Sequence, residues 1–277
     1  MDSEQLKIMS NYFEIDFTRK IKQPKIKPSN KDLMLADVHT PFQHKENLEI
    51  VLEDTKGMEN LWIVGDWWDF YSKSHYRKTY SIDFKTEFRE GFFLLQRMAM
   101  RFNKVYLMLS NHDQRFKKWI FDNVPADALA FCDYLIVEKL ISTIPNVTIM
   151  KQKTPKGRLI DYIYQHKNAL FTHIEKSNKD ITKTAQEIVK DLLRWEKELG
   201  IKDYELLFQA HNHQSGKVRF GDKWVFQIPC LIDMNTPAFD YAYNGKLYGN
   251  PPALGYTILY KNSDGSFNPA KTHIIDL

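Results

Sequence analysis

The chain lacks the features that mark disulfide-rich, secreted and membrane-spanning proteins. Its 277 residues include only two cysteines, Cys132 and Cys230, which belong to no recognisable metal or redox motif. No apolar run approaches the roughly 18 residues that a membrane helix needs, and the N-terminal segment carries acids without a signal peptide's apolar stretch. We therefore expect reduced cysteines, a cytoplasmic protein and no membrane partner.

A strong excess of one charge sign is also lacking, because the formal net charge is only +4. One segment departs from this balance: residues 19–31 hold six basic side chains and no acid. Two interpretations stay open, a basic arm that touches phosphates and a solvated, extended lead-in to the first strand, and the pattern favours the second. We assign residues 1–31 to a basic N-terminal arm and residues 32–277 to a single domain, since no linker is evident.

Short apolar runs in the first half alternate with segments of helical periodicity. This β-α-β-α-β order predicts parallel strands in an α/β fold. Beyond residue 145 the pattern becomes mostly β, with one long amphipathic helix. The predicted helices span residues 45–55, 82–102, 114–122, 125–141 and 180–199. The predicted strands span residues 33–36, 61–64, 105–109, 147–150, 159–165, 169–171, 206–208, 217–220 and 224–228.

Clusters of Asp, His and Asn follow five of these strands. Such side chains are the ligands that divalent metals prefer, and open α/β sheets build their sites at the carboxyl ends of strands. Residues i and i+2 of an extended segment point the same way, so Asp37 and His39 can reach one metal, and His211 and His213 can share a cavity. Two cations about 3.5–4 Å apart polarise a phosphoryl oxygen, and metal binding lowers the pKa of water from about 15.7 to about 7.

The five clusters, in this order, resemble the motifs of the calcineurin-like metallophosphoesterases. That family's pattern of DxH, GDxxD, GNH plus an acid, a lone H after a strand, and GHxH corresponds here to DVH, GDWWD, SNHD, FTH and AHNH. The motifs run from Asp37 to His213, nearly two-thirds of the chain. The resemblance implies a two-sheet α/β/β/α sandwich of the metallophosphoesterase type and a phosphoesterase with two divalent metal ions. Manganese is favoured, with iron, zinc and magnesium as alternatives.

The resemblance also implies a role for each matching residue. His112 is the expected catalytic histidine near the leaving group, Asp69 the acid that holds its other ring nitrogen, and Asp113 a second acid for that task. Asp66 would bridge both metals. The other ligands would be Asp37, His39 and His213 at the first metal and Asn111, His173 and His211 at the second.

Two positions depart from the family pattern. Ser110 stands where the family has glycine before Asn111, and Ala210 stands where it has glycine before His211. The stretches GDWWDFYSKS and SNHDQRFKKW are similar to a subgroup found in phage and prophage genomes, for which no substrate is generally established.

Aromatic and basic residues alternate directly after the second motif, in residues 70–80. Rings can stack on bases while cations meet phosphates, so we predict substrate contacts from Tyr71, Lys73, His75 and Arg77. The alternative is a solvated loop whose tyrosines pack on the body of the protein. Residues 234–256, rich in Tyr, Pro, Gly and Asn, are predicted to form a loop over the cleft.

Three functions remain open at this point. The leading one is hydrolysis of nucleotide or nucleic-acid phosphodiesters, or of phosphate monoesters. The second is a DNA or RNA nuclease like the double-strand-break repair exonucleases, supported by the basic and aromatic segments. The third is a binding scaffold that has lost its metals, which the complete set of ligands argues against. The sequence does not indicate an oligomeric state.

Overall fold

Two stacked β-sheets lie between outer layers of helices. The computed structural model describes residues 1–176, 180–239 and 251–277. Part of the predicted loop at 234–256, residues 240–250, lies outside this description. Among the described residues, no helix has the length and apolar character that crossing a membrane requires.

The first sheet has six strands in its described part, in the order β13-β12-β1-β2-β3-β4. Strands β1 to β4 run parallel, whereas β12 and β13 add to the β1 edge in antiparallel register. Its strands are β1 Lys31–Leu35, β2 Asn60–Val64, β3 Lys104–Met108, β4 Val147–Ile149, β12 Gly255–Tyr260 and β13 His273–Asp276.

The second sheet has five strands in its described part, in the order β10-β11-β9-β8-β7. The central strands β8, β9 and β11 are parallel, and the two edge strands are antiparallel to them. Its strands are β7 Ile163–His166, β8 Ala169–Thr172, β9 Leu206–Gln209, β10 Gly216–Phe220 and β11 Lys223–Gln227, with a separate ribbon of β5 Gln152–Lys153 and β6 Leu159–Ile160.

The helices form the two outer layers. Apolar side chains of the first sheet alternate: Leu33 and Leu35 pack outward with α1, α2, α3 and α5, while Met34 and Trp62 face the second sheet. Helix α6 covers the far face of the second sheet. The predicted α/β/β/α sandwich is therefore confirmed. The helices are α1 Ser3–Phe13, α2 Lys45–Asp54, α3 Phe84–Ala99, α4 Arg115–Asn123, α5 Ile136–Ile141 and α6 Ile181–Leu199.

Two element predictions were wrong. The helix predicted over 125–141 is reduced to a short 3₁₀ turn at Leu129–Phe131 and to α5. Regular helix forms where Val137, Leu140 and Ile141 find a core to cover, whereas Phe131 is 90% exposed. The strand predicted over 159–165 is divided: β6 pairs with β5, and β7 pairs with β8 in the second sheet.

The basic N-terminal arm lies at the amino ends of the parallel strands. Ile26 exchanges hydrogen bonds with the Asn103 side chain, at 3.3 and 3.2 Å, directly before β3. The Ser29 amide donates to the carboxylate of Glu59, directly before β2. Within residues 1–31, which were assigned to the arm, the unpredicted helix α1 packs on α3, with the Phe13 ring 4.4 Å from that of Phe88. The arm is thus anchored away from the carboxyl ends of these strands.

Candidate metal centre

The predicted metal ligands meet at the carboxyl ends of strands from both sheets. Asp37 and His39 follow β1, and Asp66 follows β2. His173 follows β8 of the second sheet directly. Because parallel strands end on one edge, side chains far apart in the chain converge there. The remaining predicted ligands are Asn111 after β3 and His211 and His213 after β9.

Five of these residues have left-handed backbone conformations. The φ angles are 49° at Asp37, 53° at His39, 48° at Asp66, 86° at His211 and 53° at His213. Such angles are uncommon for residues other than glycine and concentrate at functional sites, where the surrounding fold imposes them. The surrounding fold therefore holds these residues in unfavourable backbone conformations that direct their side chains to one site.

Gly65, directly before Asp66, lets a histidine ring approach the backbone. Its φ angle is +80°, and a Cβ atom built there would lie 2.2 Å from Cδ2 of His173. A side chain at position 65 would therefore displace His173 from the centre.

One group of ligand atoms comes from Asp37, His39 and His213. Their candidate ligand atoms all lie within 4.8 Å of one another, and Nε2 of His213 is 3.4 Å from Oδ1 of Asp37. All three residues are buried. These are the three residues predicted from the sequence to bind the first metal.

A second group comes from Asp66, His173 and His211, with the same mutual spacing. Nε2 of His173 lies 3.4 Å from Oδ2 of Asp66 and 3.1 Å from Oδ1 of Asp37, so it connects the two groups. Asn111 and His173 line one cavity of about 330 Å³. This group contains His173 and His211, two of the three residues predicted for the second metal, together with Asp66, the predicted bridging carboxylate.

Four buried side-chain atoms of the predicted ligand residues have no hydrogen-bond partner in the described part of the protein. A buried polar atom without a partner costs free energy, on the order of 1–3 kcal/mol, so these residues have spare capacity to bind a ligand. Nitrogen and oxygen donors in these numbers fit divalent cations such as Mn²⁺, Zn²⁺ or Fe²⁺. The atoms are Nε2 of His39, Oδ1 of Asn111, Nδ1 of His173 and Nδ1 of His211.

The carboxylates and histidines of the cluster shift each other's pKa values. Burial opposes ionisation of Asp37 and Asp66, but facing histidines outweigh it and lower both pKa values. Burial also works against charge on His173, yet the carboxylates of Asp66 and Asp37 raise its pKa to about 9. Burial and the neighbouring His173 lower the pKa of His211 to about 4. The metal-free cluster therefore holds ionised acids beside a protonated His173 and a neutral His211.

The predicted catalytic histidine and its acid are in contact. Nδ1 of His112 lies 3.1 Å from Oδ2 of Asp69, and the same oxygen is 2.9 Å from Nδ1 of His39. With both rings donating to Asp69, Nε2 of each carries the lone pair. Asp69 thus orients a predicted metal ligand and the predicted catalytic histidine together.

Arg115 contacts both Asp69 and His112, although no role was predicted for it from the sequence. Its guanidinium donates to Oδ1 of Asp69 at 2.8 Å and lies 3.1 Å from Nε2 of His112. Burial and, less strongly, the Arg115 cation lower the pKa of His112 despite the attraction of Asp66. Its position in the first turn of α4, three residues after His112, is the only local signal.

Ser110, which stands where the resembling family has glycine, binds Asp66, the predicted bridging acid. Ser110 Oγ accepts from the Asp66 amide at 2.7 Å and donates to Asp66 Oδ1. Asp113, predicted as a second acid for His112, instead accepts from the amides of Trp68 and Ser110 at 2.8 and 2.9 Å. Asp113 thereby ties the loops after β2 and β3 together, while Asp69 makes the ring contact.

The four predicted substrate-binding residues occupy different surroundings. Tyr71 is buried, and its hydroxyl accepts from the Thr79 amide at 2.8 Å. The Lys73 ammonium lies 4.2 Å from the centre of the Trp119 ring, so it packs on α4. His75 and Arg77 are exposed, and His75 lines a cavity of about 430 Å³ that also reaches Asn111. Of the four, His75 is the one placed at that cavity.

Comparisons with known proteins return remote structural likeness alone. No protein-family model and no curated protein sequence matches the chain. A zinc complex of Vps29 from Entamoeba histolytica is 11% identical with a TM-score of 0.37, over 89% of this chain and 98% of that one. An archaeal phosphodiesterase is 12% identical with a TM-score of 0.38, over 89% of this chain and 99% of that one. A metallophosphoesterase from Sphaerobacter thermophilus has the same identity and TM-score, over 89% of this chain and 88% of that one.

Proposed function

We propose that the protein is a calcineurin-like metallophosphoesterase, a metal-dependent hydrolase of phosphate esters. The observation that supports this most directly is the pair of ligand groups, Asp37–His39–His213 and Asp66–His173–His211, each with its candidate ligand atoms within 4.8 Å. His173 lies close to carboxylates of both groups, so two ions would be neighbours. The phage and prophage subgroup remains a prediction from the sequence.

Divalent ions held by these residues would polarise phosphoryl oxygens and make water a nucleophile at neutral pH. The protein's own residues set up the rest. Asp69 accepts from Nδ1 of His112, so any proton that His112 gives to or takes from a substrate moves at Nε2. Arg115 lies beside that nitrogen and supplies positive charge where a phosphoryl group would carry negative charge.

The surroundings favour nucleotide or nucleic-acid phosphodiesters as the substrate class. The cavity beside Asn111 is lined by Arg115, Lys117 and Lys118 and by the ring of Tyr76. Cations with exposed rings suit a phosphate that carries a base. The repair-type nuclease is one member of this class. A silent scaffold finds no support in a cluster that keeps every predicted ligand.

The test compares Mn²⁺-dependent hydrolysis of bis(p-nitrophenyl) phosphate with that of p-nitrophenyl phosphate. Wild type and His112→Ala are assayed in parallel, and His273→Ala, at an exposed histidine in β13, is the matched control. We expect wild type to cleave the diester faster. His112→Ala should keep its metals and lose about 10²–10⁴-fold in kcat.

The metal content of each variant separates the outcomes. Faster monoester cleavage would move the assignment to a phosphatase. A His112→Ala protein that is inactive because it has lost its metals would contradict the proposed role of His112. If wild type binds two metals and cleaves neither ester, the hydrolase proposal is wrong for simple esters and the scaffold interpretation gains.

A further inference from the structure

A cavity of about 430 Å³ opens beside the metal centre, between a loop and helix α4. Asn111 forms its inner end, next to the proposed second metal. The loop contributes His75 and Tyr76, whose rings lie 4.2 Å apart, centre to centre. We call this cavity the α4 cleft. Its volume lies within the range of about 300–1,000 Å³ that small-molecule sites occupy.

Helix α4 gives the α4 cleft a basic wall with an aromatic ring. Lys117 and Lys118 line it, two and three residues after Arg115 in the first turn of the helix. Phe121 follows at i+4 from Lys117 and i+3 from Lys118, spacings that share one helix face. The ring of Phe121 is 46% exposed and that of Tyr76 is 65% exposed. The cleft thus presents cations and two partly exposed aromatic side chains. The ring of Phe121 also packs on Tyr134, with centres 5.1 Å apart, and the Lys117 ammonium lies 5.7 Å from the centre of the Tyr134 ring.

The acids of the surroundings do not neutralise these lysines. Across residues 1–176, 180–239 and 251–277, no carboxylate lies within ion-pairing distance of Lys117 or Lys118. Glu175, beyond β8, is the acid among the residues that line the cleft. The wall therefore keeps a net positive charge toward a ligand.

Other contacts hold α4 in place, so the wall is preformed. The Phe116 ring of α4 stacks on Phe84 of α3 at 4.2 Å, and the Lys73 ammonium caps Trp119 at 4.2 Å. These contacts use the helix face that turns away from the cleft. Because α4 is already held in place, a ligand of the α4 cleft would bind without the entropic cost of ordering the helix.

We propose that the α4 cleft binds the nucleotides that adjoin the scissile phosphate of a single-stranded polynucleotide. This inference rests on the proposed function, because the metal centre at Asn111 fixes where the scissile phosphate would lie. Lys117 and Lys118 would meet the next phosphates, and Tyr76 and Phe121 would stack on bases. Stacking on exposed rings needs unpaired bases, which favours a single strand over a duplex.

The basic N-terminal arm offers a matched control for charge. Lys25 and Lys27 are exposed like Lys118, but they belong to the arm anchored at the amino ends of β2 and β3. Replacing two lysines at either place removes the same charge. The two double variants therefore separate a local site from general attraction of a basic protein for nucleic acid.

The experiment measures binding of fluorescein-labelled dT₁₂ and U₁₂ by fluorescence anisotropy at several salt concentrations. The full-length protein carries His112→Ala with Mn²⁺ present, and gels verify that the strands stay intact. We expect Lys117→Ala/Lys118→Ala to weaken binding at least about tenfold. The slope of log K against log salt should fall by about 1.4, since each lost contact with a single strand removes about 0.7.

Two further variants complete the set. Tyr76→Ala should weaken binding roughly tenfold, from the loss of one stacked base, with the salt slope unchanged. Lys25→Ala/Lys27→Ala should bind as the parent does. Equal weakening by the arm variant and the cleft variant would overturn the proposal, and so would a cleft variant that binds like its parent.

The outcome also distinguishes this inference from the proposed function. If wild type hydrolyses bis(p-nitrophenyl) phosphate but neither strand binds, the α4 cleft proposal is wrong and the hydrolase proposal stands. If the strands bind through Lys117 and Lys118 while no ester is hydrolysed, the cleft is supported and the hydrolase proposal fails.

Discussion

Two buried aspartates at opposite ends of strand β1, Asp32 and Asp37, have contrasting surroundings. Asp32 accepts from the Asn60 side chain at 3.1 Å, from Nε1 of Trp62 at 3.0 Å and from the Lys261 ammonium at 2.9 Å. Among the described residues, none of these partners leaves a buried side-chain atom unpaired. Asp32 is therefore a satisfied structural acid of the sheet.

Asp37 has partners that are themselves incompletely paired. Its carboxylate faces His173 and His213, and Nδ1 of His173 lacks a hydrogen bond in the described structure. Its backbone has a φ angle of 49°, whereas Asp32 lies within a regular strand. The difference shows that burial of an acid alone does not indicate function. Function is indicated when neighbouring side chains keep unpaired nitrogen atoms and the acid itself has a positive φ angle, as at Asp37.

The largest expected effect comes from removing one charge at each end of β1. Asp37→Asn should lose metal and, on the order of 10³-fold, activity, because several kcal/mol of transition-state stabilisation would go with the ion. Asp66→Asn should behave in the same way. Asp32→Asn should keep its metals and lose about 1–3 kcal/mol of unfolding free energy, since the Lys261 ammonium loses one of its charged partners.

Metal analysis after gel filtration and urea denaturation of the same samples provide the measurement. The comparison of the two ends fails if Asp37→Asn retains two tightly bound ions. It fails equally if folded Asp32→Asn protein loses its ions.

A second pair of substitutions tests the close approach of His173 to the backbone. Gly65 and Gly157 both have φ angles of +80°, but a Cβ atom at Gly157 meets nothing within 4 Å. Gly157→Ala should cost only the backbone strain, about 1–2 kcal/mol. Gly65→Ala adds the collision with His173 and should weaken metal binding by more than tenfold.

Calorimetric titration with Mn²⁺ and thermal unfolding of both variants give the result. Equal metal affinity in Gly65→Ala and Gly157→Ala would show that His173 can move without loss and is not a required ligand.

The carboxyl end of the sheet was predictable from sequence because its signals are local. An apolar run that ends at Asp or His predicts both a strand and a metal ligand directly after it, as at residues 33–39. The partners of those ligands are not local. Arg115 reaches Asp69 across 46 positions of the sequence, and no spacing rule for surface arginines encodes such a contact.

The outer layers were harder to predict for the same reason. Phe13 is the buried residue of helix α1, and it packs on Phe88, which lies 75 positions further along the chain. Residues 125–135 favour a helix by sequence but do not pack against the core, so the predicted helix does not form there. Local pattern thus predicts elements that bury a continuous face, and tertiary contacts decide the others.

A smaller effect is expected from Arg115, which supports the centre without binding a metal. Arg115→Gln should lower kcat for the small diester about 10- to 100-fold with metal content unchanged. Because the guanidinium lowers the pKa of His112, the limb of the pH–rate profile that reports His112 should move to higher pH. Arg89→Gln removes an arginine that pairs with Glu14 on the surface and serves as the control. An unshifted profile would leave Arg115 a purely structural role.

The last expected effect is a pH dependence of metal affinity that the Asp32 end cannot produce. In the metal-free protein the pKa of His173 is about 9, so below that pH a cation must displace its proton. Apparent affinity should therefore rise up to about tenfold per pH unit between pH 6 and 8. His211, with its pKa lowered to about 4, is already neutral and adds nothing to this slope. The pKa of His39 is also raised, by its hydrogen bond to Asp69 and the charges of nearby acids working against burial, so His39 contributes to the slope in the same direction.

The same proton has the opposite effect on the stability of the metal-free fold. A raised histidine pKa means that the ion pair of His173 with Asp37 and Asp66 stabilises fully below pH 6.5, the ordinary value, and is lost as the pH rises through 9. Chelated protein should thus become less stable over the range in which it binds metal more tightly. Titration calorimetry in buffers of different ionisation enthalpy counts the released protons, and urea unfolding in chelator follows the stability. A metal affinity that does not change from pH 6 to 8 would mean that metal binding does not displace a proton from His173.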